Sequence, residues 1–301
     1  MTRHDIDWSG CIPAITTPFD PEGAVDLAAF SANVERLIGL GATGVIACGC
    51  TGEFWALTLG EKAALARAAV EAAAGRGPVI LGAAAITVEE TVAVAEAAKA
   101  AGCAAALATP PYFVRTTEAE TEAHLAGIAA RAPLPIVLYN IPGNAGNALT
   151  PAMVDRLADL ETVVAIKESS GDWRNFHETL IATRDRIRVF CGPSSQYGAA
   201  AAAAGADGFM DCFPNVWAGC LDLWPAARDG APEARALQET ALALTALFTS
   251  EGRTLYPATK AAMDHLGLPG GGAPRPPLRP LGGAALEGLI EGLDRLIGRG
   301  G

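Results

Sequence analysis

Histidine is scarce: the chain has four in 301 residues. His4, His124, His177 and His265 stand far apart with no ligand motif around them, which excludes a metal centre even though Cys48 and Cys50 sit close enough to be mistaken for a pair. Positive charge is also short, because 22 Lys and Arg face 33 Asp and Glu for a formal net charge of −11, and no Lys/Arg-rich run occurs. Neutralising phosphates takes clustered positive charge, so nucleic acid and anionic membrane are excluded as partners. No apolar run approaches the roughly 20 residues that span a bilayer. The opening MTRHDIDWSG lacks the apolar core of a signal peptide, and the expected compartment is the cytoplasm. The seven cysteines are an odd number. Cys11, Cys48, Cys103, Cys191 and Cys212 are scattered through apolar segments without C-x-x-C spacing, which fits small buried hydrophobes in a reducing environment and not a disulfide framework.

What the chain does have is hydrophobic residues, 50% of the total, in short β-rich runs that alternate with Ala/Leu/Glu-rich stretches. That alternation predicts parallel strands joined by crossover helices. The predicted strands are Cys11–Thr16, Gly44–Cys48, Pro78–Gly82, Ala104–Ala108, Ile136–Asn140, Thr162–Lys167, Ile187–Cys191 and Gly208–Cys212. They make up the set that a closed α/β barrel, the (β/α)8 or TIM barrel, requires. Helix formers fill Leu27–Leu40, Glu61–Ala74, Glu89–Ala101, Glu118–Arg131 and Pro151–Ala158, with Gly41, Gly75 and Gly102 placed as C-terminal caps. Past the eighth strand come long helical stretches, Pro232–Thr249 and Leu255–His265, a Gly/Pro-rich turn at Gly267–Pro280 and a last helix near Leu286–Ile297. The expected division is a barrel over 1–228 and a C-terminal helical bundle packed on it over 229–301. A doubly wound open sheet is the competing architecture.

Barrel enzymes place their chemistry where the strands end. Lys167 closes the run Thr162-Val163-Val164-Ala165-Ile166, and burial there penalises its ammonium form. A free lysine near ~10.4 is protonated at neutral pH, whereas one lowered to ~7–8 supplies a neutral amine that attacks a ketone. The plainer reading pairs Lys167 with Glu168, but alternation along a strand sends neighbouring side chains to opposite faces. Tyr139 ends another run and offers a phenol that can give and take a proton, or serves only as packing. Thr51, in a Gly-flanked turn, sets a hydroxyl beside backbone N–H groups, a seat for a small carboxylate or one of the many other uses of such a turn.

The strand ends and their surroundings carry Thr17-Pro18-Phe19, GCTGEF at Gly49–Phe54, TPPYF at Thr109–Phe113, YNIPGN at Tyr139–Asn144, IKESSGD at Ile166–Asp172 and RPPLRPL at Arg275–Leu281. In this order, over nearly the whole chain, they resemble the dihydrodipicolinate synthase and N-acetylneuraminate lyase family of class I pyruvate-type lyases. The resemblance implies a TIM barrel with a C-terminal helical bundle, assembled as a homotetramer, a dimer of dimers. It implies that Lys167 forms an imine with a small keto acid, that Tyr139 shuttles protons, and that Thr51 holds the keto-acid carboxylate. It further implies that Tyr112 is lent across a dimer interface to the next subunit's proton relay, and that the backbone near Met210 lines the pocket. No cofactor and no metal are implied.

Two departures bear on the substrate. Asn144 stands where the synthases carry an arginine for the carboxylate of aspartate semialdehyde, and an amide cannot reproduce that charge-assisted fork. Asn144 either contacts substrate or shapes its loop. Cys50 stands where the synthases carry a relay threonine, and a thiol is the weaker hydrogen-bond partner. Either Cys50 is a weak relay or Ser169 takes that part. Asn144 and the GEF ending look more like the 4-hydroxy-2-oxoglutarate and 2-keto-3-deoxy acid aldolases. The expected activity is therefore aldol cleavage or condensation, or dehydration, of a 4-hydroxy-2-keto or 2-keto-3-deoxy acid. The alternative is 4-hydroxy-tetrahydrodipicolinate (dihydrodipicolinate) synthesis. A barrel that merely binds keto acids is a third reading.

Overall fold

The computed structural model describes residues 6–298, so His4 lies outside the described residues, as do the extreme ends of the two expected segments. Eight strands form one parallel sheet: β1 (Gly10–Cys11), β2 (Val45–Ala47), β3 (Val79–Gly82), β4 (Ala105–Ala108), β5 (Ile136–Asn140), β6 (Val163–Glu168), β7 (Arg188–Cys191) and β8 (Gly208–Phe209). Their order, β1-β8-β7-β6-β5-β4-β3-β2, is that of a sheet rolled up in sequence. The seam is closed by a parallel bridge from Ala14 to Ile46. There the Ile46 amide donates to the Pro13 carbonyl at 2.8 Å and the Ile15 amide to Ile46 at 3.0 Å. The protein is thus a (β/α)8 barrel. β1 is shorter than the predicted Cys11–Thr16 because Pro13 has no N–H for the ladder.

Each strand sends alternate side chains to opposite faces. In the register Tyr139–Lys167–Phe190 across β5, β6 and β7, Tyr139 and Phe190 belong to the cluster inside the barrel, with Val137, Ile46, Ile80 and Leu107. Their neighbours Leu138, Ile166 and Val189 belong to the larger cluster between sheet and helices. The parity that turns Lys167 inward is therefore set by the whole sheet. A slip of one residue would bury Ile166 in the mouth and expel the amine.

The helices are α1 (Leu27–Gly39), α2 (Leu59–Ala73), α3 (Val88–Ala101), α4 (Glu118–Arg131), α5 (Pro142–Ala145), α6 (Pro151–Leu157), α7 (Trp173–Thr183), α8 (Ser194–Ala204), α9 (Gly219–Arg228), α10 (Ala234–Thr249), α11 (Leu255–His265) and α12 (Gly283–Ile297). The sequence reading missed α5, α7 and α9, and the Ala199–Ala204 run lies in α8. α2 and α3 begin ahead of their predicted starts because Thr58 and Thr87 cap them, each hydroxyl accepting from the amide three residues on. α10, α11 and α12 form the helical appendage, and its apolar cluster also takes in Cys212, Phe213, Val216 and Cys220 from the end of the barrel. All seven cysteines are buried and unbridged. No helix among the described residues is long and apolar enough to cross a membrane.

The RPPLRPL segment clamps the appendage to the barrel. The Arg275 guanidinium bonds Glu61 at 2.6 Å and the Ala56 carbonyl at 2.8 Å, and lies 4.3 Å over the ring of Phe19. Glu61 also completes the capping box of α2, receiving the Thr58 amide at 2.8 Å. The Arg275 hydrogen bonds first, then those from Thr58, hold its carboxyl at about 2 instead of 4.5. A carboxyl lowered in the folded state adds stability in full above 4.5, and that stability is lost as pH falls toward about 2. Glu61→Gln should therefore flatten the decline in urea stability between pH 5 and 2; an unchanged slope would show that the clamp contributes nothing there.

Candidate active site

β2, β5, β6 and β8 end around a cavity of about 310 Å³. Seven residues singled out from the sequence line it: Cys50, Thr51, Tyr139, Asn144, Lys167, Ser169 and Met210. Lys167 is only 6% exposed. Its Nζ lies 4.5 Å from the centre of the Tyr139 ring. Among the described residues no carboxylate forms an ion pair with it, and burial pushes its pKa down, opposed more weakly by Cys50, Asp211 and Cys212. Burial pushes the Tyr139 phenol well above its usual range, so it stays protonated until a neighbour takes the proton.

Glu168 faces the other way, as alternation requires. Its Oε1 receives the Asn140 side chain at 2.8 Å, the Ser170 amide at 3.0 Å and the Asn175 side chain at 3.2 Å. Asn140 in turn accepts the Leu149 amide at 2.9 Å. Asn140 of YNIPGN and Glu168 of IKESSGD thus tie together the ends of β5 and β6 just behind Tyr139 and Lys167. Buried hydrogen bonds of this kind fix the rotamers of the side chains in front of them. Beyond β6, Ser169 turns its Oγ toward Gly192, where even a methyl group would come within 1.7 Å of it, so only glycine fits.

Left-handed backbone brackets the GCTGEF turn, at Cys48 just before it (φ 54°) and at Glu53 within it (φ 55°). Such conformations cost about 1–3 kcal/mol each and persist only where the surroundings enforce them. The surroundings fix the Glu53 end: the Thr17 hydroxyl donates to the Gly52 carbonyl at 2.8 Å. The fully buried Glu53 itself pairs with Lys260 at 2.6 Å and accepts the Arg275 amide at 2.9 Å. The turn presents Thr51 and Cys50 to the cavity, which Tyr139 and Tyr256 also line. Ser169, the other relay candidate, has a buried Oγ with no partner among the described residues.

Tyr112 does not line this cavity in its own protomer. Its ring meets Phe54 edge-on at 5.9 Å and borders a separate hollow with Trp55 and Lys62. Among the lining residues that escaped the sequence reading are Asp211, Ser195 and Tyr256. The Asp211 carboxylate is fixed by the Ser194 hydroxyl at 3.0 Å, the Ser195 amide at 2.8 Å and the Cys212 amide at 2.6 Å. Tyr256 comes from α11, in the appendage, where no strand end could point to it.

Residues 7–293 match the dihydrodipicolinate synthetase family. The 4-hydroxy-tetrahydrodipicolinate synthase of Sorangium cellulosum (strain So ce56) is 36% identical over 97% of both chains. That of Hyphomonas neptunium (strain ATCC 15444) is 36% identical over 96% of this chain and 98% of its own. Among solved structures, YagE, a prophage protein of the dihydrodipicolinic acid synthase family from E. coli K12 in complex with pyruvate, superposes with a TM-score of 0.90 at 27% identity, over 96% of this chain and 98% of that one. These relatives carry synthase names, not those of the aldolases to which the substrate motifs were expected to tie the chain. The protein belongs to the dihydrodipicolinate synthetase family.

Proposed function

We propose that this protein joins a pyruvate-type keto acid to an aldehyde, or parts them, through a Schiff base on Lys167. The observation that carries the reading is a buried amine with its pKa lowered and no carboxylate paired to it among the described residues, set against a protonated phenol in a cavity at the strand ends. The neutral amine adds to the C2 ketone and, with one proton taken up, water leaves to give an iminium. Loss of a C3 proton makes an enamine, whose carbon adds to the aldehyde while Tyr139 supplies the proton to the aldehyde oxygen. Water then hydrolyses the imine and frees the lysine. Run backwards, the same steps cleave a 4-hydroxy-2-keto acid, with Tyr139 taking the C4 hydroxyl proton. In this scheme Thr51 holds the keto-acid carboxylate.

The relatives' names favour aspartate semialdehyde as the aldehyde, hence 4-hydroxy-tetrahydrodipicolinate synthesis, and we place that reading ahead of the aldol reading expected from the motifs. One observation keeps the second alive: among the described residues the only charged side chains lining the cavity are Lys167 and Asp211, so a distal carboxylate meets no spare cation. Parallel assays of condensation with aspartate semialdehyde and of pyruvate release from 4-hydroxy-2-keto acids separate the two by their kcat/KM. Asn144→Arg should raise kcat/KM for aspartate semialdehyde by about 10- to 100-fold, the worth of a charge-assisted hydrogen bond of roughly 1.5–3 kcal/mol. An unchanged value would mean that position 144 does not read the aldehyde.

A further inference from the structure

With Lys167 and Thr51 taking the keto acid, the rest of the cavity wall faces whatever the aldehyde contributes. Building on that reading of the site, we propose that Gln238 of α10 is a positioning residue for this distal end: its side-chain amide, inserted into a break in α8, holds Ser195 and Gln196 in place as cavity wall.

The break lies at Tyr197, whose φ of −143° and ψ of 29° are not helical. An unbroken helix would bond the Ala199 amide to the Ser195 carbonyl, four residues back. Gln238 bridges these two groups. Its Oε1 accepts the Ala199 amide at 2.7 Å, and its Nε2 donates to the carbonyls of Ser195 at 2.9 Å and Ser194 at 3.2 Å. A side chain set into the backbone ladder is a recognised cause of helix kinks. Gly198 makes room for the break: a Cβ there would stand 3.0 Å from the Phe209 ring and 3.1 Å from the Ser194 Cβ. The Tyr197 ring turns toward Trp173 and Phe176, at 5.6 and 5.8 Å.

Only the part of α8 ahead of the break reaches the cavity, through Ser195 and Gln196. Ser195 is held from two sides, its amide by Asp211 at 2.8 Å and its carbonyl by Gln238. Thr245 and Thr249, seven and eleven residues beyond Gln238, fall on the same stripe of α10 and line the cavity as well. Their hydroxyls donate to the Ala241 and Thr245 carbonyls of their own helix, at 3.2 and 2.7 Å, which leaves oxygen lone pairs as acceptors. The stripe that pins α8 therefore continues as the neighbouring wall, and all four wall side chains are neutral hydroxyls or amides. A wall of that chemistry reads hydroxyl groups on the tail of a substrate, and it does so only if the turn bearing Ser195 stays where Gln238 fixes it.

The test is borohydride trapping with two keto acids that share the reactive end: pyruvate, and 2-keto-3-deoxygluconate, which adds a hydroxylated tail. The parent should half-saturate with the longer acid at a lower concentration than with pyruvate. Gln238→Met keeps the side-chain length but neither hydrogen-bonding group. In it, half-saturation by the longer acid should need about tenfold more, the worth of a hydrogen bond or two, with pyruvate within twofold of the parent. Ser195→Ala should show the same split. The double variant should lose no more than the worse single variant, because residues acting through one another are not additive. Equal shifts with both acids, no shift with the longer one, or an additive double loss overturns the proposal. Ser195→Ala leaves the inserted amide intact, so an unchanged response there overturns it even where Gln238→Met fails to fold. A pyruvate adduct on Lys167 of the parent without preference for the longer acid sinks the wall alone. No adduct in the parent sinks the Schiff-base reading and the wall with it.

Discussion

Lys167→Met should lower turnover by about 10⁴-fold or more, the scale of losing a covalent nucleophile, and should make the protein more stable. The second half of that result discriminates. A lysine placed only for structure would cost stability on removal. Here burial lowers the folded-state pKa of the amine below its unfolded value, so the native chain bears a penalty for protonating it. The penalty is complete below the folded pKa and fades as pH rises from there toward 10.5. Methionine fills a similar volume without the charge. The expected gain at pH 7 is about 0.5–2 kcal/mol, typical of relieving a strained functional site, and it should shrink above pH 9. Urea unfolding at pH 7 and pH 10 measures both. A destabilised variant would show that the amine has a partner worth more than its desolvation costs.

The second large effect belongs to Glu53→Gln. Its carboxylate is fully buried, faces Lys260 at 2.6 Å and accepts the Arg275 amide at 2.9 Å. Neutralising one member strands a buried ammonium, which costs about 3–5 kcal/mol. Adding Lys260→Met should restore much of that stability, because replacing a whole buried pair with apolar groups is close to neutral. Recovery in the double variant identifies the pair as the source; an additive double loss would place the cost in the strained backbone of the turn. Activity should stay low in the double variant, since α11 would no longer be held to the Cys50 turn.

The barrel and the buried lysine in its cavity were legible because both rest on local regularities. Apolar runs alternate with helical stretches, and Lys167 and Tyr139 end two of those runs. Strand parity alone predicted that Lys167 and Glu168 part company, and Glu168 bonds Asn140, Ser170 and Asn175 behind the sheet. What stayed hidden depends on distant pairings. Glu53 in GCTGEF reads as one more motif residue until Lys260 and Arg275, over two hundred positions away, close on it. TPF, GEF and RPPLRPL look like parts of a site, yet Phe19, Glu53 and Arg275 form the joint between barrel and appendage. Tyr256 was missed because chemistry was sought at strand ends. The one signal for it was a Tyr-Pro pair at the start of a helix, in a chain with few tyrosines. Asp211 was passed over because, beside Met210 at the end of an apolar run, nothing in its neighbours marks a carboxylate held by a serine hydroxyl and two amides.

The central claim is that Lys167 forms an imine with a keto acid. Incubation with pyruvate and borohydride, followed by intact-protein and peptide mass spectrometry, tests it most directly, since reduction turns an imine into a permanent adduct. The account predicts one reduced pyruvate per chain, on the peptide containing Lys167, and none in Lys167→Met. An adduct on another lysine, or none with pyruvate or other short keto acids, would contradict it.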